Sequence, residues 1–207
     1  MPTPLVYVVD DDEGMLDSVA WLLASVELEC SCFQDGAAFL EAFDPERPSC
    51  VILDVRMPTM DGFELFDLIR KRRIIVPIIF VTANANVPMA VKAMQHGSFN
   101  FIEKPYVPQD LLDLISQALA KSETDLQQRK QKLDFLNRFQ LLSNRELEVL
   151  REVVKGKQSK IIAHDLGISC KTVDAHRSSI REKFNSTSVA ELVNEVLTHK
   201  REWCEEL

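Results

Sequence analysis

The feature that most constrains the fold is a regular alternation of short apolar runs with amphipathic stretches over residues 5–120. The apolar runs are LVYVV, ECSCF, CVIL, PIIFV and NFI. Helical periodicity follows each run, over residues 14–26, 36–43, 62–71, 87–96 and 108–120. Strands that alternate with helices form a parallel sheet covered on both faces. We therefore predict an α/β fold, a doubly wound five-stranded parallel sheet.

Polar side chains stand where four of the five predicted strands end. They are Asp10, Asp11 and Asp12 after the first strand, Asp54 after the third, Thr82 at the end of the fourth and Lys104 after the fifth. Ligands of doubly wound sheets bind beyond the carboxyl ends of the strands, so these groups are expected to converge. Two carboxylates about 4 Å apart repel by about 4 kcal/mol at an effective dielectric of about 20, which predicts a divalent cation among them.

The residue types in this cluster suit the transfer of a phosphoryl group to a carboxylate. Asp54 would accept the group as an acyl phosphate. Asp10 and Asp11 would hold Mg²⁺, which prefers a few carboxylates together with waters and phosphate oxygens. Lys104 would offer a positive charge and Thr82 a hydrogen bond to the phosphoryl oxygens. The alternative is that these are loop carboxylates that cap helices and hold no metal.

Residues 121–140 contain no Gly or Pro and are rich in Gln, Lys, Leu and Arg. This composition predicts a helical linker, which can continue the fifth helix. Leu126, Leu133 and Leu136 form only a thin apolar stripe, so either partial exposure or pairing with a partner fits the pattern.

Residues 141–207 carry no strand signal and are predicted to form an all-α domain of four helices. Ser143 and Glu146 match a capping box that opens the first helix, and Gly156 ends it. Two helices over residues 159–166 and 170–184 are separated by a tight turn at Gly167, which indicates a helix-turn-helix. A fourth helix is predicted over residues 188–198.

The longer of these helices, residues 170–184, has one apolar face and one polar face. Val173, Ile180 and Phe184 lie within about 40° of one another on an ideal helix and should be buried. Arg177 falls in the same sector and must extend to solvent or contact a neighbour. The opposite face is small or hydrogen-bonding, which suits base edges: Lys171, Asp174, Ala175, Ser178 and Glu182. Residues suited to phosphate contacts flank it: Thr172, His176, Ser179 and Lys183. The alternative is an ordinary surface helix.

Charge is distributed unevenly along the chain. The net charge of the whole chain is −8, and residues 1–120 carry 8 Lys/Arg against 18 Asp/Glu. Residues 155–183 reverse this balance, with 7 Lys/Arg against 3 Asp/Glu, and suggest a surface that binds a polyanion. No apolar run has the roughly 18 residues that a membrane span needs, so we expect a cytoplasmic protein with no membrane partner. The five cysteines have no metal-ligand spacing and are expected to be reduced thiols.

Residues 1–120 resemble the receiver domain of two-component systems. The resemblance lies in Asp10-Asp11, Asp54 followed by Met57-Pro58 and Asp61-Gly62, Thr82-Ala83, and Lys104-Pro105. It implies a flavodoxin-like strand order, 2-1-3-4-5. It further implies these roles: phosphoacceptor Asp54; Mg²⁺ ligands Asp10, Asp11, Asp54 and the backbone carbonyl of Arg56; switch residues Thr82 and Phe101; phosphate contact Lys104; and tuning of phosphoryl lifetime by Arg56 and Asn84. The Lys104-Pro105 peptide is typically cis in this family.

Residues 141–207, with LSNRELEVL and KTVDAHRSSIREKF, resemble the LuxR-type helix-turn-helix domain, and the whole plan resembles regulators of the FixJ and NarL type. The length and linker are similar to those of the StyR/TodT regulators of aromatic-hydrocarbon catabolism. The DNA contacts implied are Lys171, Thr172, Asp174, Ala175, His176, Arg177, Ser178 and Lys183. Asp174 is a departure, because some relatives carry a basic residue there. Its carboxylate would accept from a cytosine amino group or face water.

Together the resemblances imply a transcription factor, not an enzyme, that a histidine kinase activates by phosphorylating Asp54. The receiver would then form a homodimer, and two recognition helices would enter double-stranded DNA about one helical turn apart. Three alternatives remain from the residues alone. One is a metal-dependent phosphatase or dehalogenase, in which the nucleophile usually follows the first strand. The second is a DNA-binding protein indifferent to phosphorylation, and the third is a C-terminal domain that binds only protein.

Overall fold

The structure is a computed structural model that describes residues 3–83 and 87–199. The chain divides into two compact units, Met1–Gln127 and Gln128–Leu207. No helix among the described residues is both long enough and apolar enough to span a membrane. Cys30, Cys32, Cys50 and Cys170 are free thiols, and Cys204 lies outside the described residues.

The first unit contains one parallel sheet of five strands in the order β2-β1-β3-β4-β5. The strands are β1 (Leu5–Val9), β2 (Glu29–Phe33), β3 (Ser49–Asp54), β4 (Ile78–Thr82) and β5 (Asn100–Glu103). Every residue of β1, β3 and β4 is buried, which explains why these strands are apolar throughout instead of alternating. The predicted α/β fold and its strand order are confirmed.

Helices cover both faces of this sheet. They are α1 (Glu13–Ala24), α2 (Gly36–Ala42), α3 (Gly62–Lys71), α4 (Val87–Gln95) and α5 (Pro108–Gln140). One core contains Tyr7, Phe39 and Phe80, and the core on the other face contains Val8 and Ile115. Because alternate residues of each central strand enter opposite cores, the strand ends are held rigidly at one edge of the sheet.

Helix α5 is much longer than the other helices of this unit. It continues from Pro108 to Gln140 through the residues predicted as a helical linker, since no Gly or Pro interrupts it. Its last turns belong to the second unit, where Phe135 and Phe139 are buried in the core. The end of α5 is therefore a packed element of the C-terminal unit.

The second unit continues with four further helices, α6 (Asn144–Val154), α7 (Ser159–Leu166), α8 (Cys170–Lys183) and α9 (Val189–Thr198). Ser143 and Glu146 form the predicted capping box of α6. Gly167 ends α7 with φ +66°, a left-handed conformation that glycine adopts without strain, and Ser169 then caps α8. The four-helix prediction, including the helix-turn-helix of α7 and α8, is confirmed.

Candidate functional sites

Asp10, Asp54 and Lys104 meet at the carboxyl edge of the sheet, although they are far apart in sequence. Asp10 directly follows β1, and Asp54 ends the neighbouring strand β3. Both carboxylates are buried, with exposed fractions of 4% and 6%. The Nζ atom of Lys104 donates to Asp10 Oδ2 at 2.7 Å and to Asp54 Oδ1 at 2.9 Å. The strand ends thus bring together three groups that the sequence placed at one edge.

One ammonium group serves two carboxylates in this cluster, so a negative charge remains uncompensated. Burial raises the pKa of Asp54, the hydrogen bond and charge of Lys104 oppose the rise, and the charge of Asp10 adds to it. Burial acts to lower the pKa of Lys104, but its hydrogen bonds to Asp10 and Asp54 outweigh burial and raise it. The cluster is therefore suited to take up a further positive charge.

The backbone around Asp54 holds its carboxylate in place. Asp54 Oδ2 accepts a hydrogen bond from the backbone N–H of Arg56 at 2.5 Å. The N–H of Gly62 donates to the carbonyl of Val55 at 2.9 Å, so the start of α3 lies against the end of β3. A Cβ atom at Gly62 would overlap the carbonyl oxygen of Asp54. The glycine of the Asp61-Gly62 pair is thus required by this close approach.

The other two acidic residues of the first loop have different surroundings. The side chain of Asp12 caps α1 by accepting from the N–H groups of Gly14 and Met15, so the helix-capping interpretation holds for this residue. Asp11 is exposed and lines an open cleft of about 680 Å³, together with Arg56 and Lys92. The cleft lies beside the cluster, because Val55 and Arg56, which directly follow Asp54, also line it.

The donor set fits Mg²⁺, which commonly binds one or two carboxylates and keeps several waters. Asp10 and Asp54 supply two buried carboxylates whose charge Lys104 only half compensates. Among the residues that the structure describes, no group of three or more His, Cys, Asp or Glu side chains is arranged to hold a metal ion. Asp11 therefore does not complete a three-carboxylate cluster in this structure, although it lines the same cleft as Arg56.

The remaining receiver residues lie on β4 and β5. Thr82 ends β4 and is buried, and its carbonyl accepts from the backbone N–H of Lys104 at 2.8 Å. Phe101 on β5 is partly buried and packs against the Tyr7 core. The Lys104-Pro105 peptide is cis. Asn84 lies outside the described residues.

The predicted faces of α8 are largely as the periodicity indicates. The prediction that Val173, Ile180 and Phe184 are buried is confirmed. Arg177 is half-buried and donates from Nη1 to Ser159 Oγ at 3.1 Å, so it contacts a neighbour. His176 is half-buried. The exposed residues of the helix include Lys171, Thr172, Asp174, Ala175, Ser178 and Glu182.

Lys183 and Ser179 face inward toward Glu146, contrary to the prediction that they flank a phosphate-binding face. Lys183 Nζ donates to Glu146 Oε2 at 2.7 Å and to the carbonyl of Leu141 at 2.9 Å. Ser179 Oγ donates to Glu146 Oε1 at 2.7 Å. The assignment of Lys183 to DNA is revised, because both groups are used to join α8 to α6.

Sequence reasoning missed the importance of Glu146, Ser159 and Arg138. The sequence predicts Glu146 only as a capping residue, because its bonds to α8 have no local signal. Arg138, on α5, donates to the carbonyl of Phe184 at 2.7 Å and to Glu195 Oε1 at 2.5 Å, which ties three helices together. Such contacts depend on how the helices cross and cannot be read from periodicity.

Two family models match the chain. The response regulator receiver domain matches residues 6–116, more than half of the chain, and the luxR family of bacterial regulatory proteins matches residues 140–196. The chain belongs to the response regulators. This response regulator carries a LuxR-type DNA-binding domain, and its family consists of transcription regulators, not enzymes. The phosphatase and dehalogenase alternative is thereby set aside. Receiver domains generally bind Mg²⁺ for phosphorylation.

Characterised relatives cover almost the whole response regulator. The transcriptional regulatory protein TdiR of Thauera aromatica is 40% identical over 192 residues, which are 93% of this chain and 85% of TdiR. FixJ of Bradyrhizobium diazoefficiens is 35% identical over 91% of this chain and 92% of FixJ. The solved structure of the response regulator StyR is 38% identical with a TM-score of 0.88, covering 95% of this chain and 99% of that one. The likeness thus extends over both units.

Proposed function

We propose that a partner histidine kinase phosphorylates Asp54 of this response regulator, and that the phosphorylated form binds promoter DNA as a homodimer. The surroundings of the Asp54 carboxylate support this proposal. Lys104 and the N–H of Arg56 each donate a hydrogen bond to it, beside an open cleft. A carboxylate fixed from both sides is oriented for attack on phosphorus.

Each residue of the site has a proposed part in the transfer. Asp54 forms the new bond to phosphorus as the bond between phosphorus and the nitrogen of the kinase histidine breaks, and the histidine leaves with the kinase. Lys104, whose Nζ lies 2.9 Å from Asp54 Oδ1, stabilises the charge of the phosphoryl oxygens. Asp10, Asp11, Asp54 and the carbonyl of Arg56 are the proposed ligands of Mg²⁺. When bound, the ion supplies positive charge that screens the phosphoryl group from the carboxylates.

We assign the output of the receiver to Thr82, Phe101 and the face formed by α4, β5 and α5. The added phosphoryl oxygens draw the hydroxyl of Thr82 toward them, and Phe101 takes up the space that it leaves. An apolar stripe on α4 supports this assignment, because Val87, Val91 and Met94 recur at helical spacing and are about half or more exposed. Pairing of two copies through this face would bury the stripe.

The proposed DNA contacts are exposed or half-buried residues of α8: Lys171, Thr172, Asp174, Ala175, His176, Arg177 and Ser178. Their small or hydrogen-bonding side chains suit a helix in the major groove. Two such helices in a dimer would read half-sites about one turn of DNA apart. Because the chain resembles StyR and TodT, we propose that it is a cytoplasmic regulator of an operon for aromatic-compound catabolism.

The phosphorylation proposal is tested with acetyl phosphate and Mg²⁺. Intact mass should show one added phosphoryl group on the wild type, and light scattering should show a shift from monomer to dimer. Asp54→Ala should show neither change. Asp17→Ala, which alters an exposed aspartate of α1, is the matched control and should behave as the wild type. The assignment fails if Asp54→Ala responds as the wild type does.

Sequencing of bound DNA, with and without phosphorylation, tests the output. We expect enrichment of a two-fold symmetric site that strengthens on phosphorylation. Equal enrichment under both conditions would favour the regulator that is indifferent to phosphorylation. Contacts to phosphates also make affinity fall steeply with salt, so binding without salt dependence would favour a domain that binds only protein.

A further inference from the structure

Ser159, at the start of α7, joins two side chains of the recognition helix. Its Oγ donates to Asp174 Oδ1 at 2.7 Å and accepts from Arg177 Nη1 at 3.1 Å. The direction of both bonds is set by chemistry, because a guanidinium only donates and an ionised carboxylate only accepts. The serine hydroxyl is therefore a bridge between an acid and a cation that stand three residues apart on α8.

The serine is not used in the way that serines at helix starts usually are. The N-cap of α7 is Gln158, whose side chain makes no capping hydrogen bond, while Ser159 is the first helical residue. A hydroxyl at this point commonly turns back to its own backbone. Here it crosses to α8, and the bridge borders an open cleft of about 560 Å³ that Lys157, Ser178 and Arg181 also line.

The bridge explains how Asp174 is tolerated on the face of α8 that is proposed to meet DNA, a polyanion. A carboxylate is repelled by phosphates, but Arg177 offsets the charge of Asp174 through the shared hydroxyl. The bridge also holds Asp174, which is exposed and would otherwise sample several rotamers. Among the described residues no hydrogen bond reaches Asp174 Oδ2, so this oxygen remains available to accept from a base.

We propose that Ser159 is a positioning residue for sequence specificity: it holds Asp174 so that Oδ2 accepts from the exocyclic amino group of a cytosine in the major groove. Carboxylates are the natural acceptors for that amino group. Guanine, thymine and the phosphates present only acceptors to the major groove, and adenine places the acceptor N7 beside its amino group, where it repels a second carboxylate oxygen. This inference rests on the proposed insertion of α8 into DNA, and it assigns a reading role to a residue outside that helix.

The test is selection of binding sites from random double-stranded DNA by the full chain, phosphorylated with acetyl phosphate. The wild type should prefer cytosine at one position of each half-site by about ten-fold. Asp174→Ala should lose this preference. Ser159→Ala should lose it at the same position and leave the other positions unchanged, while Ser159→Thr, which keeps the hydroxyl, should retain it. The double variant should be no less selective than Asp174→Ala.

Other outcomes overturn the inference in distinguishable ways. If Ser159→Ala keeps the cytosine preference that Asp174→Ala loses, Ser159 does not position the carboxylate. An equal loss of affinity at all positions, or a Ser159→Thr variant as unselective as Ser159→Ala, would indicate a purely structural serine. A wild type that selects no sequence at all would instead overturn the proposed DNA binding. Thermal unfolding of each variant, expected within a few degrees of the wild type, checks that the fold is kept.

Discussion

In the first unit two buried carboxylates, Asp10 and Asp54, share the ammonium group of Lys104, whereas in the second unit the buried carboxylate of Glu146 has the ammonium group of Lys183 to itself. Both clusters join elements that are distant in sequence. The first has one negative charge too many. The second is balanced, and both oxygens of Glu146 accept hydrogen bonds: Oε1 from Ser179, and Oε2 from Ser143 and Lys183.

The pKa values of the two acids move in opposite directions for this reason. Burial acts to raise the pKa of Glu146, but the hydrogen bonds from Lys183, Ser179 and Ser143 outweigh it and lower the pKa to about 2. Burial raises the pKa of Asp54, and Lys104 offsets it only in part. A similar pairing of acid and lysine therefore makes a rigid joint in one unit and a site with unmet charge in the other.

Glu146→Gln should produce the largest change in stability. The amide leaves the ammonium of Lys183 partly buried without its counter-charge, and we expect a loss of about 3 kcal/mol in the free energy of unfolding. Urea denaturation measures it. The control is Glu148→Gln on the same helix, which breaks only a surface pair with Arg145 and should cost well under about 1 kcal/mol. Similar losses in both variants would show that the Glu146 cluster is not a joint.

The pH dependence of stability should separate the two acids by sign. The pKa of Glu146 falls from an ordinary 4.5 to about 2 on folding, so its contribution of about 3 kcal/mol is present above pH 4.5 and lost as the pH falls toward 2. The stability difference between wild type and Glu146→Gln should shrink over that window. For Asp54 the raised pKa reverses the sign, because protonation as the pH falls through it favours the folded state. If the difference in stability between the wild type and Glu146→Gln stays constant down to pH 2, the lowered pKa of Glu146 is contradicted.

Gly62→Ala should weaken the receiver site through packing alone. Its methyl group would overlap the carbonyl oxygen of Asp54 and force β3 and α3 apart, at a cost of about 2 kcal/mol. The displaced Asp54 should also be phosphorylated more slowly by acetyl phosphate, which intact mass measures over time. In Gly14→Ala the new methyl group meets only the side chain of Asp12, and this control should be phosphorylated at the wild-type rate. Equal rates in all three proteins would exclude the packing requirement.

Asp54→Asn should have the smallest effect on stability, with the opposite sign to Glu146→Gln. Removing one of two like charges that share one lysine relieves repulsion, and we expect a gain of about 1 kcal/mol without Mg²⁺. Mg²⁺ should stabilise the wild type more than this variant, because binding to the folded state adds to its stability. Urea denaturation with and without Mg²⁺ measures both effects, and Asp17→Asn, at an exposed position of α1 that has no part in the site, is the control. A loss of stability as large as that of Glu146→Gln would remove the contrast between the clusters.

Much of the fold follows from local pattern. The continuous apolar runs predict β1, β3 and β4 as central strands, and the helical spacing of Val173, Ile180 and Phe184 predicts the buried face of α8. Both predictions succeed because the spacing of apolar residues over a short stretch of chain shows whether one face or both faces of an element are buried. The strand-end positions of Asp10, Asp54 and Lys104 place them at one edge for the same reason, since parallel strands all end on one side.

The partners of side chains on separate helices were decided only by tertiary structure. Lys183 looks like a phosphate contact from its position on α8, yet the crossing of α8 with α6 places Glu146 beside it. The same holds for Ser159, which packing sets between Asp174 and Arg177. The sequence by itself determined the strands, the helices and the residues at the strand ends, because periodicity and chain punctuation act over a few residues. Which charges are compensated depends on crossings between elements distant in sequence, and only the packed structure defines them.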